Sequence, residues 1–240
     1  MKQRMRVFAG PNGSGKTAIV SEFIEKRDEL IDPNRHVNPD DLNLLDVLNF
    51  DNFGVKVDES DFRDFVLQYH FYEKLGITIE YLKIKDNCFY INQKSSYMGA
   101  MLSDYLRHCL IKTNERLFSF ETVLSHPSKI DFLKDAKELG WDVYLYFVST
   151  NDPEINCVRV AQRVQMGGHD VPREKIYDRY TKTNNNLFEA LKHCRRAYIF
   201  DNSEEMELIA KKNPDGSLDL LVDYLTSDWF NEFVLSKLNK

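Results

Sequence analysis

The stretch that decides the fold is "FAGPNGSGKT", residues 8–17. Gly10, Gly13, Gly15, Lys16 and Thr17 complete the pattern G-x-x-x-x-G-K-[ST]. Glycines at these places let the backbone fold around an anion with its N–H groups turned inward. A helix that starts there adds its positive end. Lys16 can reach the β and γ phosphates of a nucleotide, and the Thr17 hydroxyl can ligate Mg²⁺. The pattern also arises by chance, so its setting decides. Met5 to Ala9 reads as a short buried strand. After Lys16, "TAIVSEFIEK" carries Ile19, Val20, Phe23 and Ile24 at a helical period. Strand, glycine loop and helix in that order identify a phosphate-binding loop. Gly10, Pro11, Asn12, Gly13, Ser14, Gly15, Lys16 and Thr17 are therefore expected to bind ATP, with Thr17 as the Mg²⁺ ligand.

Outward from the loop, "RHVNPDD" reads as a second strand ending at Asn38, with Pro39 starting a helix. Asp40 and Asp41 then fall in its first turn. Residues 50–95 are expected to be an insertion. "SDFRDFVLQYHFYEKLG" suggests a helix closed by Gly76, and "ITIEYLKIKDNCFYIN" a hairpin turning at Asp86-Asn87. A helix from Ser96, the strand "LFSF", a helix from Pro127 and the strand "DVYLYFVST" follow. Helices led by Pro153 and Pro172 flank "MGGHDV". "RAYIFDNS" is the last core strand, "AKKNPDGSLDLL" a polar hairpin, and "VDYLTSDWFNEFVLSKL" a closing helix. Strands alternating with helices predict an α/β fold. It would be a P-loop kinase-like parallel sheet flanked by helices, in a single domain over 1–240, with an inserted helix-hairpin region.

Bulk composition narrows the class. The chain has 240 residues, 42% of them hydrophobic, enough for a sizeable core. A net charge of -6 argues against a broad nucleic-acid surface. Cys88, Cys109, Cys157 and Cys194 lie far apart with no CxxC pair, as expected of reduced thiols in a cytoplasmic protein. The apolar run near the start is too short for a signal peptide, and no run approaches the ~18 apolar residues of a membrane span.

Transfer of a phosphoryl group needs groups on the acceptor side as well. Asp40, at a strand end facing the crevice of a parallel sheet, is the candidate general base. Asp41 shares the turn and competes for the role, and a helix-capping function would suit either carboxylate. Glu121 ends a buried strand, where it could hold substrate hydroxyls or a water on Mg²⁺. Arg159 and Arg163 share a helix face, and Arg173, Arg179 and Lys182 follow across Gly167-Gly168. Arginines on a mobile segment could neutralise the moving phosphoryl group, although a solvated charged face would look alike.

Taken together and in order, "FAGPNGSGKT", "VNPDD", "FSFETVLS", "RVAQRVQMGGHDVP", "DRYTKTNNNL" and "YIFDNS" resemble the zeta toxin family of P-loop kinases. The resemblance runs from about residue 5 to about 203, interrupted over 50–95. It implies an ATP-dependent kinase acting on a hydroxyl of a small metabolite; for the family's toxins this is UDP-N-acetylglucosamine, and a small antitoxin holds them inactive. It puts the phosphate lysine at Lys16, the base at Asp40, the substrate-side pair at Glu121 and Thr122, and the lid arginines at Arg163 and Arg179, with Arg159 a near competitor. Two departures stand out. Glu121 and Thr122 are contiguous where the toxins have an intervening glycine, and the Ser-Phe-Arg that follows the toxin aspartate is missing. These bear on the acceptor rather than on the kinase chemistry.

The expected activity is thus phosphotransfer from Mg²⁺-ATP to an alcohol, with no nucleic acid or membrane as partner. A kinase of another nucleotide or dinucleotide on the same fold is the nearest rival. A nucleotide-dependent switch without acceptor, or an ATPase module of a nucleic-acid machine, belongs to other classes.

Overall fold

The computed structural model describes residues 2–26, 29–222 and 227–238. The chain divides into two compact units, one of residues 1–30 and 121–240, the other of residues 31–120.

In the first unit β1 (Arg4–Ala9) leads through the glycine loop into α1 (Lys16–Lys26). The strands β7 (Asp142–Ser149), β8 (Arg196–Asp201), β9 (Glu207–Lys212) and β10 (Leu218–Leu220) complete its sheet, side by side in the order β10-β9-β8-β7-β1. The pairs β1–β7 and β7–β8 are parallel, while β9 and β10 add antiparallel strands. The sheet is therefore mixed, parallel over β1, β7 and β8, with the "AKKNPDGSLDLL" hairpin in its antiparallel margin. Buried apolar runs in β1 and β7 follow from strands covered on both faces. The helices α6 (Ser128–Glu138), α7 (Pro153–Gln165) and α8 (Arg173–His193) flank it.

Register fixes how α1 is seated. Phe8 lies opposite Tyr146, and Tyr146 opposite Tyr198. Their rings stack across three strands, with centroids 5.0 Å and 5.1 Å apart. Phe23 of α1 packs edge-on against Phe8 at 5.8 Å and Tyr146 at 5.0 Å. Each such aromatic pair contributes about 0.5–1.5 kcal/mol beyond its buried area. The ladder orients the helix that carries Lys16 and Thr17. At the far end of the chain, Trp229 is buried against Phe147 and donates its indole N–H to Asp201 at 2.6 Å. The closing helix runs from Asp228 to Leu238 through a π turn at Asn231–Leu235. The 223–226 part of that expected helix lies outside the described residues.

The second unit holds β2 (His36–Val37), the short helix α2 (Pro39–Leu42), β3 (Val47–Asn49), α3 (Glu59–Leu67), α4 (Tyr72–Leu75), β4 (Ile84–Lys85), β5 (Cys88–Tyr90) and α5 (Ser96–Leu110). β6 (Leu117–Thr122) starts here, pairs in parallel with β2, and ends in the first unit at Glu121 and Thr122. The Asp86-Asn87 hairpin is present, both residues having positive φ. The helix expected over 60–76 is two, α3 and α4, broken between Gln68 and Phe71, with Gly76 ending the second in the left-handed region. β3 pairs with β5, so "LNLLDVLNF" is split between a helix end and a strand.

All four cysteines are unbridged. No helix among the described residues is long and apolar enough to cross a membrane.

Candidate nucleotide-binding site

The glycine loop is shaped by what presses on it from outside. Gly10, Gly13 and Gly15 have φ of +149°, +78° and +103°, which side chains disfavour. A Cβ would also collide, meeting the Val148 carbonyl oxygen at 2.0 Å from Gly10 and the Asn156 carbonyl oxygen at 2.6 Å from Gly13. From Gly15 it would meet Asn202 Nδ2 at 2.4 Å. Only glycine lets the loop lie this close to β7, α7 and the end of β8.

Two asparagines hold the outward carbonyls. Asn156 donates to the Asn12 carbonyl at 2.7 Å, and Asn202 to the Ser14 carbonyl at 2.7 Å. Asn156 is itself fully buried and accepts a hydrogen bond from Thr150. The carbonyls being taken up outside, the loop's N–H groups can converge on an anion. Neither asparagine stood out in the sequence. Asn202 lies within "YIFDNS", but Asn156 sits in a helix with no local signal, and only the folding of α7 against the loop gives it a role.

Lys16 reaches back along the loop, its ammonium donating to the Gly10 and Pro11 carbonyls at 2.8 Å and 2.9 Å. The Thr17 hydroxyl donates to Glu121 Oε2 at 3.1 Å. Glu121 is only 6% exposed, at the end of β6. A hydroxyl and a carboxylate so paired are hard oxygen donors, suited to Mg²⁺ or its waters. Among the described residues no group of three His, Cys, Asp or Glu side chains could enclose a metal. The fit is to an ion completed by water and phosphate oxygens, as Mg²⁺ prefers.

The residues after Glu121 are held by α8. Thr122 accepts the Leu124 N–H through its hydroxyl at 3.2 Å. Thr183 and Asn186 donate to the carbonyls of Val123 and Leu124 at 2.7 Å and 2.8 Å. Leu124 takes a φ of +62° with its side chain buried, a conformation costing about 1–3 kcal/mol. The "TKTNNN" stretch thus fixes the strained turn behind Glu121.

The arginines divide. Arg179 donates to Asn12 Oδ1 at 3.2 Å, at the rim of the loop. Arg159 donates to the Asn202 carbonyl at 2.7 Å, behind it. Arg163 donates to the His169 carbonyl at 2.7 Å, and a Cβ on Gly168 would meet its Cγ at 2.5 Å. Gly167, at φ +86°, ends α7. Arg173 is paired with Glu154, which also accepts from Tyr177 at 2.6 Å. Lys182 pairs with Asp178 at 2.7 Å.

Asp40 and Asp41 belong to the second unit. Asn38 caps their helix by accepting the Asp40 N–H at 3.0 Å, and both carboxylates are exposed. α5 packs directly on α2 at Gly99, where a Cβ would meet the Pro39 carbonyl oxygen at 2.4 Å. A cavity of about 540 Å³ lies beside this turn, lined by His36, Asn38, Asp41, Asn49 and Phe53 among others.

No family model matches the chain. A curated protein of Haemophilus influenzae, itself uncharacterised, is 40% identical over 63 residues, 26% of this chain and 45% of that one. Among solved structures, a chain of the AvrRxo1-ORF1:AvrRxo1-ORF2 complex with sulphate ions superposes with a TM-score of 0.58 at 16% identity. That match covers 94% of this chain and 62% of the other. The same complex with ATP gives 0.58 and 16%, covering 97% and 63%. The PezAT toxin-antitoxin system of Streptococcus pneumoniae gives 0.48 at 16% identity, covering 98% and 80%. The chain therefore spans less than two thirds of the length of the curated relative and of the AvrRxo1 chains. At such identities the likeness to the AvrRxo1 chains is one of fold alone.

Proposed function

We propose that the protein is an ATP-dependent phosphotransferase that phosphorylates a hydroxyl of a small metabolite. The observation that supports this best is the Thr17–Glu121 hydrogen bond, which sets a hydroxyl and a buried carboxylate beside the glycine loop. Mg²⁺, when bound with ATP, would supply charge neutralisation on the phosphate oxygens. The chain's own residues do the rest. The N–H groups of Gly13 to Thr17 grip the phosphates, and Lys16 leaves its carbonyl partners for the β and γ oxygens. Arg179, at the loop rim, meets the charge of the moving group, with Arg163 as the second arginine of the α7–α8 hairpin. Asp40 is the base that takes the proton of the attacking hydroxyl.

UDP-N-acetylglucosamine is the first acceptor to test, on the strength of the motif resemblance, and other nucleotides or dinucleotides come next. The contiguous Glu121-Thr122, with Thr122 engaged in its own turn, is the feature that favours testing both. A small antitoxin in a cytoplasmic setting completes the proposal, in keeping with an AvrRxo1-ORF1 found together with ORF2. The experiment is incubation with γ-labelled ATP, Mg²⁺ and a metabolite extract, beside UDP-N-acetylglucosamine and dinucleotides singly. A labelled small molecule is expected from the wild type and not from a folded Lys16→Ala variant. Slow ATP hydrolysis with no labelled product would instead make the protein a nucleotide-dependent switch. Wild-type transfer by Lys16→Ala would remove the loop assignment.

A further inference from the structure

A second cavity, of about 580 Å³, opens in the first unit at the opposite end of the sheet from the glycine loop. It lies beside Asp142, where β7 begins, and Arg195, just before β8. The loop leaves the other end of β1, six residues or ~20 Å along the strand direction. Its volume is in the range of small-molecule sites.

The charges around it are unevenly answered. Lys192 pairs with Glu189 at 2.6 Å, and Arg195 with Asp142 at 3.5 Å. Of the carboxylates lining the cavity, Asp142 is engaged in this way, and Asp215 accepts the Ser217 N–H and hydroxyl at 2.9 Å and 2.7 Å. Lys137 and Lys212 have only main-chain carbonyls as hydrogen-bond partners among the described residues. Lys137 donates to Lys192 at 3.2 Å, and Lys212 to Cys194 at 2.8 Å and Asn213 at 3.3 Å. Burial, with the positive charge of Lys137, pulls the Lys212 pKa below the ordinary lysine value, outweighing Cys194 and Asp215, which raise it. The two ammoniums thus face one cavity and repel each other. The wall beside them is apolar, with Trp141 and Val234 buried and Phe188 half-buried.

We infer that this cavity is a binding site for an organic anion, a phosphate or carboxylate carried on a flat apolar body, gripped by Lys137 and Lys212. An anion in the cavity relieves the repulsion of the ammoniums, and the ring surface covers the exposed part of Phe188. Neither need is met by the nucleotide loop, so the site stands independently of the phosphotransfer reading.

The test is calorimetric titration of the full chain with 1-naphthyl phosphate and, separately, 1-naphthoate. Saturable binding of at least one probe is expected, unchanged in Lys16→Ala. Lys137→Glu, a substitution at an exposed side chain, should weaken it at least tenfold, as should Lys212→Gln, while Lys137→Arg retains it. Absence of saturable binding of both probes at millimolar concentration would overturn the inference. So would binding that Lys137→Glu leaves intact, or that Lys16→Ala abolishes.

Discussion

The Thr17 hydroxyl stands 3.1 Å from Glu121 Oε2, joining the first turn after the glycine loop to a strand end more than a hundred residues away. The contact makes Glu121 a partner of Thr17, the proposed Mg²⁺ ligand. Glu121→Gln keeps the shape and the hydrogen bond but removes the charge. The Mg²⁺ concentration for half-maximal transfer should rise ~10–100-fold, the usual cost of losing an outer-sphere partner. ATP binding without metal should change little. An unaltered Mg²⁺ titration would show that Glu121 serves the acceptor instead.

Arg179 touches Asn12 at the loop rim, whereas Arg163 touches His169 in its own hairpin. Arg179→Ala should lower kcat on the order of 10²–10³-fold, as loss of a transition-state donor does, and raise the ATP KM far less. Arg163→Ala should lower kcat by a smaller factor. Arg159→Ala should act mainly on KM, since its contact is with the Asn202 that holds the loop. Arg173→Ala should do little. Steady-state kinetics on the four variants separates these outcomes, and an Arg163 effect exceeding that of Arg179 would reverse the assignment.

Gly99 permits α5 to touch α2, the helix of Asp40 and Asp41. Gly99→Ala should displace that turn, at a stability cost of about 1–3 kcal/mol from overpacking. A base misplaced by ~1 Å can cost on the order of 10²-fold in rate. The loss should appear in kcat rather than in ATP affinity, since the atoms a Cβ on Gly99 would meet belong to Pro39 and Asn43. Asp40→Asn should cost ~10²–10⁴-fold in turnover by removing the proposed base. If Asp41→Asn did so while Asp40→Asn were near normal, the base would move by one residue. Wild-type kcat in a Gly99→Ala protein whose melting temperature has fallen would refute the positioning role.

His126 accepts the Ser128 N–H through Nδ1 at 3.2 Å, just ahead of α6. That bond needs an unprotonated Nδ1. Burial, and then Lys129 nearby, hold the His126 pKa below the ordinary histidine value. The folded state therefore binds this proton less readily than the unfolded state. Stability from this group is present above the ordinary histidine pKa and is lost as pH falls through it toward the lower folded value. NMR titration should give His126 a pKa below that of a histidine peptide. His126→Gln should flatten the acid side of the stability profile, and an elevated His126 pKa would contradict this.

The sequence by itself determined what local chemistry dictates. A strand, five positions of the glycine pattern and an amphipathic helix left one reading for residues 4–26. Pro39, Pro153 and Pro172 marked helix starts, and Asp86-Asn87 a hairpin, because each restricts φ or tolerates positive φ by itself. Fold class followed from the alternation of those elements. Where apolar residues served two partners, local pattern failed, as at the break between α3 and α4. Tertiary structure alone decided which side chains meet. Asn156 and Asn202 on the loop carbonyls, Thr183 and Asn186 behind Glu121, and Arg179 rather than Arg163 on Asn12 are contacts across 60 to 188 residues of chain. Hydrogen bonds between such distant residues depend on strand register and on how α7 and α8 are seated, and no periodicity in the sequence encodes them.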